Sequence, residues 1–224
     1  MKKILHILFV AVMLSIAPPG ESAMTEAQIK AAEAVSKQAL TAYVSGVVNE
    51  QNYKSFGFES LEESRAARTG PPLPVMIVDL TAVAEFAQDQ PLKGSLRDDG
   101  RLWYPVLVDD RVRTSLELVL QKDRWIPGAF GGTREIQTLV AVRDKLPELL
   151  QQRNVEAPYT VSVVQMPTLL ATFLHVESGA GDYLIPAMIQ PQRYGLENAT
   201  VYPAEEVMLG LKDYAARIEK GLIR

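Results

Sequence analysis

One histidine is the residue best suited to acid–base chemistry in the chain beyond residue 23. His175 lies in the run Phe-Leu-His-Val-Glu-Ser at residues 173–178, and the chain contains no cysteine. A serine hydrolase needs a serine, a histidine and an acid that converge in space. No Gly-x-Ser-x-Gly nucleophile motif is present. The pattern therefore favours a half-buried structural histidine over a catalytic base, and we assign no catalytic residue.

Carboxylates are the other side chains that can do chemistry. Zinc and copper sites usually draw on several histidine or cysteine ligands, so we expect no such metal. The Asp-Asp doublets at 98–99 and 109–110 lack the spacing of a calcium loop and fit turns. Asp79, Glu85 and Glu177 are candidates for a carboxylate-dependent hydrolase. Nothing in the sequence places two of these three together at a pocket.

A glycine-rich segment, Gly-Ala-Phe-Gly-Gly-Thr at 128–133, leads from a predicted strand into a predicted helix. Backbone amides at such a helix start can bind an anion. The spacing fits neither the dinucleotide fingerprint nor the phosphate-binding loop, and no lysine follows. We predict an ordinary strand-to-helix turn here, and no cofactor for the protein.

Five aromatic residues of the first half lie near predicted strand ends. They are Phe56, Phe58, Trp103, Tyr104 and Trp125. Aromatic side chains in such positions most often close a hydrophobic core. Between a helix and a sheet they would instead line a groove for a ligand or peptide. We take these five as candidate binding residues, and both interpretations stay open.

Capping and turn signals predict the elements of the first half. Thr25 with Gln28, and Ser60 with Glu63, form two capping boxes. They predict a helix over 26–45 and a short helix that ends near Gly70. A strand at 75–80, a short helix at 81–87 and a turn at 98–100 follow. Strands at 102–108 and 113–120 then form a hairpin closed by the aspartates at 109–110, and a third strand lies at 124–126.

The second half repeats this order. We predict a helix over 134–152 that Pro147 kinks or splits, strands at 159–165 and 183–189, and a short helix or strand at 168–176. A last helix runs from about residue 203 to Gly221. The prolines at 105 and 186 each lie inside a predicted strand, which indicates an edge position or a bulge.

The fold class that these elements predict is α+β. Two similar helix-plus-antiparallel-sheet units, residues 24–132 and 133–224, would form one pseudo-duplicated compact domain. Each unit has a long helix, a strand, a short apolar segment that ends in phenylalanine, a polar loop and a strand with an internal proline.

Residues 1–23 have the three-part layout of a secretory signal, with two lysines, an apolar run over 4–16 and small residues up to Ala23. The apolar run is shorter than a comfortable membrane span. We expect cleavage, a periplasmic or secreted location and no membrane span afterwards. Loss of Lys2, Lys3 and Glu21 leaves 21 basic and 26 acidic residues, a net charge of −5. Such a charge argues against nucleic acid as a partner.

Two resemblances point the same way. The runs at 56–58, 70–72, 103–106 and 113–116, with the helix signal of Ser60 and Glu63, resemble exported bacterial proteins of unknown function over about residues 53–145. That resemblance implies secretion and no activity. The segment 161–186 is similar in apolar pattern to the Tic22-like family, periplasmic or intermembrane-space proteins with a duplicated α/β unit. That similarity implies a role in handling outer-membrane proteins.

Two functions therefore remain open. The first is an exported, non-catalytic binding or protein-interaction protein whose partner is a protein, a peptide or a small apolar ligand. The second is a small carboxylate-dependent hydrolase of the periplasm. A deep pocket of acidic groups with perturbed titration would favour the hydrolase. An exposed apolar groove or sheet edge would favour binding, which we regard as the better supported function.

Overall fold

A computed structural model describes residues 24–222, and the predicted secretory signal lies outside that range. The described chain combines helices with a mostly antiparallel sheet, so the predicted α+β class is confirmed. The helices are α1 (Glu26–Gly46), α2 (Leu61–Arg65), α3 (Leu80–Ala84), α4 (Thr133–Asp144), α5 (Leu146–Gln151), α6 (Pro191–Tyr194) and α7 (Ala204–Glu219). The strands are β1 (Arg68–Thr69), β2 (Leu73–Ile77), β3 (Arg97–Val108), β4 (Arg111–Gln121), β5 (Arg124–Gly131), β6 (Tyr159–Met166), β7 (Ala171–Ser178), β8 (Gly181–Met188) and β9 (Tyr202–Pro203).

All of these strands belong to one sheet. Its order is β5-β4-β3-β2-β6-β7-β8-β9, and β1 pairs with the far end of β3. The central strands β2 and β6 run parallel, with Val75 opposite Val163. Every other pair is antiparallel. The segments before and after residue 133 therefore each supply one half of a continuous sheet.

The long first helix begins at the predicted capping box. Thr25 Oγ1 accepts the Gln28 N–H at 3.2 Å, and Gln28 Oε1 accepts the Thr25 N–H at 2.8 Å. The Ser60 cap of α2 also forms, with Ser60 Oγ accepting the Glu63 N–H at 3.0 Å. However, α2 ends at Arg65 rather than near Gly70. The chain there joins the sheet instead, since β1 pairs with β3 and Gly70 N donates to Pro105 O at 2.7 Å.

The predicted hairpin is confirmed. Asp109 and Asp110 join β3 to β4 with φ values of 48° and 61°. Two consecutive residues with positive φ match the right-handed twist of the flanking strands, and aspartate tolerates this conformation better than most residues. Lys122 and Asp123 turn the chain into β5 in the same way, with φ values of 50° and 60°.

One predicted turn is wrong. Residues 98–100 lie inside β3, which begins at Arg97. Gly100 has a φ of 65°, and the pairing of β3 with β2 changes register between Val75 and Met76. The glycine thus serves a bulge within a long strand, which a local sequence pattern does not distinguish from a chain reversal.

Proline and glycine act as predicted around the start of the second unit. Pro147 divides the predicted long helix into α4 and α5, which separate at Lys145. Gly131 and Gly132, with φ values of 140° and 75°, form the predicted turn into α4. The segment at 168–176, for which the sequence predicts a short helix or a strand, contributes to β7 after a 3₁₀ turn at Pro167–Leu169.

Helices cover both faces of the sheet. We call the face that carries α1, α3 and α7 the front, and the face that carries α4 and α5 the back. Leu102 and Tyr104 pack under α1 on the front, whereas Trp103 between them packs on the back. Phe86 and Phe173 are fully buried under α7. Each such side chain contributes about 1.5–3 kcal/mol of burial free energy, which makes packing the main stabilising term in a chain without disulfides.

Candidate functional site

The five candidate binding residues do not meet at one site. Phe56, Phe58, Tyr104 and Trp125 belong to the front cluster under α1, whereas Trp103 lies on the back face. Phe58 and Tyr104 are 2% and 1% exposed. Trp125 Nε1 donates to Gln28 O at 2.9 Å, so this indole ties β5 to α1. The four front-face side chains form the platform against which α1 packs.

A groove lies beside this platform, between α1 and α2. Its volume is about 850 Å³. Leu40 and Val48 are buried at its floor, and Val44 and Leu61 are half-buried along its walls. We call it the α1–α2 groove. Its remaining lining is Thr41, Ser45, Asn49, Glu50, Gln51, Ser64, Arg65 and Ala67.

The loop after α1 closes one end of this groove. Asn52 Nδ2 donates to Val47 O at 2.9 Å, and Asn49 N donates to Asn52 Oδ1 at 2.8 Å. These local side-chain bonds replace the helix ladder that stops at Gly46. The groove is therefore apolar at Leu40 and Val48, while Asn49, Glu50 and Gln51 of this loop give it a polar end.

Ion pairs hold α2, the second wall. Arg113 on β4 donates to Glu59 Oε1 at 2.8 Å and also pairs with Glu63. Burial opposes the charge on Arg113, but the hydrogen bonds to the two glutamates outweigh it and raise the pKa of the guanidinium. The Arg113 and Glu63 side chains are only 14% and 15% exposed. This pairing fixes α2 against the sheet, so the groove is preformed.

The groove itself has little net charge. Among its lining residues only Glu50 and Arg65 are charged, and they have opposite signs. The hydroxyls along its α1 wall are satisfied within the helix. Thr41 Oγ1 donates to Lys37 O at 3.0 Å, and Ser45 Oγ donates to Thr41 O at 2.7 Å. An apolar group can enter without stripping water from an unpaired donor on this wall.

Tyr104 lies under α1 and has a strongly perturbed titration. Burial raises its pKa to about 12, the nearby Glu33 carboxylate acts in the same direction, and the Ser36 hydroxyl opposes them. A phenol with such a pKa stays neutral near pH 7 and is a poor proton donor there. Tyr104 is therefore a packing residue.

Sequence reasoning missed a hydrogen-bonded chain of serine, histidine and aspartate. Ser162 Oγ lies 3.2 Å from His175 Nδ1, and His175 Nε2 lies 3.3 Å from Asp182 Oδ1. The three residues come from neighbouring strands β6, β7 and β8, and the imidazole is 7% exposed. Strand periodicity can place these residues on one face of a sheet, but the sequence does not show which strands pair.

A cavity of about 480 Å³ lies beside this hydrogen-bonded chain and is lined by Asp182, but not by Ser162 or His175. A molecule in that cavity would meet the carboxylate and not the hydroxyl that a serine nucleophile needs. The imidazole instead links three strands through its two ring nitrogens, which supports a structural role.

The candidate carboxylates of the sequence analysis are exposed. Asp79 and Glu85 flank α3 as its N-cap and C-cap residues, with Asp79 3.6 Å from Arg97, and Glu177 lies on β7. A different polar cluster, centred on Arg101, occupies the back face. Arg101 lies 3.2 Å from Glu117 and donates to Gln165 at 2.8 Å.

This Arg101 cluster is internally satisfied. Arg101 also pairs with Asp99, and Glu117 accepts the Trp103 indole N–H at 2.9 Å. Glu135, at the start of α4, faces it. Burial raises the pKa of Glu135, and the charge of Arg101 opposes that shift. Across residues 24–222, no three side chains of the ligating types His, Cys, Asp and Glu group so as to hold a metal ion.

Comparisons with protein-family models, curated proteins and solved structures find no match to this chain. Within the described part of the chain, every helix is too short or too polar to cross a membrane.

Proposed function

We propose that this is an exported, non-catalytic binding protein whose α1–α2 groove holds an apolar helical segment of another polypeptide. The observation that carries the proposal is a preformed groove of about 850 Å³ with Leu40 and Val48 at its floor. Exposed apolar concavities of this kind commonly mark interaction sites.

The spacing along α1 favours a helix as the bound segment. Leu40 and Val44 lie four residues apart on one face of α1, and Val48 continues that row just beyond the helix. Such a row packs against a matching row of apolar side chains on a second helix. An amphipathic helix with anchors at i and i+4 is the complementary shape. The internally bonded Thr41 and Ser45 add no desolvation cost beside it.

The alternative, a carboxylate-dependent hydrolase, has less support. Its candidates Asp79, Glu85 and Glu177 are exposed, and none of them lines the α1–α2 groove. Hydrolysis by paired carboxylates requires two acidic groups on either side of a substrate. The α1–α2 groove has one carboxylate, Glu50, in its lining.

Export and duplication belong to the same proposal. Export rests on the charged, apolar and small-residue layout of residues 1–23. Duplication is supported by the strand order, since β2-β3-β4 and β6-β7-β8 lead outwards from the central pair in the same sequence. In each unit a helix precedes the central strand, α1 before β2 and α4 before β6.

Site-specific photocrosslinking in the native compartment tests the proposed binding. A benzophenone amino acid at Val44 faces the groove, and the same amino acid at exposed Ala42 on α1 is the matched control. We expect polypeptide adducts from the Val44 position and at least about tenfold fewer from Ala42. Equal adduct yields at the two positions, or a co-purified small molecule with no polypeptide adduct, would contradict the proposal.

A further inference from the structure

A second concavity lies on the back face, between α4 and the chain that follows β8. Two cavities of about 530 and 380 Å³ adjoin there. They share the lining residues Arg134, Thr138, Ala187 and Asn198, so they form one trough along α4. We call it the α4 trough. It is separate from the α1–α2 groove, which lies on the front face.

The charge of the trough is opposite to that of the protein. Arg134 and Lys145 line it, with Glu135 as the one acidic lining residue, whereas the whole chain has a net charge of −4. Neither Arg134 nor Lys145 forms an ion pair with a residue of the described chain. They are eleven positions apart, or about 16 Å along a helix. That distance equals about five residues of extended peptide.

One end of the trough is apolar and conformationally strained. Leu170 is 68% exposed, and its φ of 51° places it in the left-handed region. An apolar side chain with a Cβ is disfavoured in that region by about 1–2 kcal/mol. Met188 and Ile189 lie beside it and are half-buried. Leu170 is thus an exposed apolar side chain at the end of the cavity, held in a strained conformation and accessible to a ligand.

We propose that the α4 trough binds an extended acidic peptide segment, with an apolar residue against Leu170 and carboxylates at Arg134 and Lys145. The two unpaired cations supply charge complementarity, and their separation sets the length of the segment. Carboxylate–guanidinium contact at Arg134 gives the peptide a fixed register. The peptide would lie along α4 and rest on the buried Ala187 at the floor.

Fluorescence anisotropy with a defined peptide tests this proposal. The probe is a fluorescein-labelled octapeptide with leucine at one end followed by alternating serine and glutamate. The matched probe has glutamine in place of every glutamate. We expect the acidic probe to bind at least about tenfold more tightly than the glutamine probe, with affinity that falls as salt rises.

Charge reversal locates the site. The double variant Arg134→Glu/Lys145→Glu should weaken the acidic probe at least about tenfold. The control Lys37→Glu/Arg153→Glu makes the same change in net charge at two exposed residues outside the trough, and should change affinity less than about twofold. Leu170→Asn tolerates a positive φ and should weaken binding about threefold while leaving the thermal unfolding midpoint unchanged or higher.

Three results would overturn the proposal. The first is that the control variant weakens binding of the acidic probe as much as Arg134→Glu/Lys145→Glu does, and the second is that wild type binds the two peptides with equal affinity. The third is a wild-type dimer in analytical ultracentrifugation that Arg134→Glu/Lys145→Glu converts to monomer. The last result would assign the trough to a second copy of the chain. The variant Val44→Asp, in the α1–α2 groove, should leave binding of the acidic probe intact. Failure at the trough is therefore distinguishable from failure of the proposed function.

Discussion

Arg113 on β4 donates a hydrogen bond to Glu59 Oε1 at 2.8 Å, and the same guanidinium pairs with Glu63 at the first turn of α2. This contact joins two segments that are about fifty residues apart in the sequence. It determines where α2 lies relative to α1, and hence the width of the α1–α2 groove. The geometry of the proposed binding site thus depends on an ion pair outside it.

Loss of Arg113 should destabilise the fold. Arg113→Ala leaves the mostly buried Glu63 carboxylate without its cationic partner, and removal of one member of a buried pair costs about 3 kcal/mol or more. Urea unfolding followed by circular dichroism measures the change. Arg111→Ala is the matched control, since Arg111 is 73% exposed and lies 3.9 Å from Glu59. We expect the control to change the unfolding free energy by less than about 0.5 kcal/mol. Equal effects of the two variants would contradict this assignment.

We expect His175 to contribute to the free energy of unfolding, and Ser162 to be a structural hydroxyl rather than a nucleophile. His175→Leu removes both hydrogen bonds of the imidazole, each worth about 0.5–1.5 kcal/mol, while the partly exposed Ser162 and Asp182 can bond to water instead. Chemical denaturation measures this loss. Ser162→Ala should cost less, because the imidazole keeps its bond to Asp182.

Labelling of the serine tests the same assignment from the other side. A fluorophosphonate reagent modifies activated serines, and we expect none at Ser162. Covalent labelling at Ser162 that His175→Leu abolishes would show that the hydroxyl is activated, and would contradict a purely structural role.

Tyr104 should make stability fall in alkaline solution. Its pKa in the folded protein is about 12, against 10.0 for an ordinary tyrosine. Below pH 10 both states keep the proton, and between about pH 10 and 12 only the unfolded state releases it. Stability is therefore lost as the pH rises through this window, by up to about 3 kcal/mol for the full shift.

Tyr104→Phe isolates this effect. The variant cannot ionise, so the difference in unfolding free energy between variant and wild type should grow in favour of the variant from pH 9 to pH 11. Guanidinium unfolding at the two pH values measures it. Tyr43→Phe removes a phenol that donates to Gly128 O at 2.6 Å, and serves as a control for the loss of a hydroxyl. An identical pH response of Tyr104→Phe and wild type would contradict the assignment.

The local part of the fold was predictable from the sequence. The capping box of Thr25, the turn at Asp109 and the break at Pro147 depend on neighbouring residues alone. Residues 98–100 have the local pattern of a turn, but Gly100 lies in a bulge of β3, because glycine serves both structures. Pairing of β2 with β6 joins segments far apart in the chain, and no local pattern determines it.

The sites were less predictable, for a related reason. The α1–α2 groove and the cluster around Arg101 depend on which elements pack together, so they have no local signal. One signal was available. Trp103 and Tyr104 are adjacent in a strand and must point to opposite faces, which excludes a single groove containing both.

The affinity of the α1–α2 groove for the polypeptide that crosslinks at Val44 is the most direct measurement of the central proposal. That segment, made as a synthetic peptide, would be titrated into wild type, Val44→Asp and the control Ala42→Asp by isothermal titration calorimetry. We expect Val44→Asp to weaken binding at least about tenfold, with Ala42→Asp within about twofold of wild type and all three proteins folded. Equal affinity of Val44→Asp and wild type would contradict the proposed function.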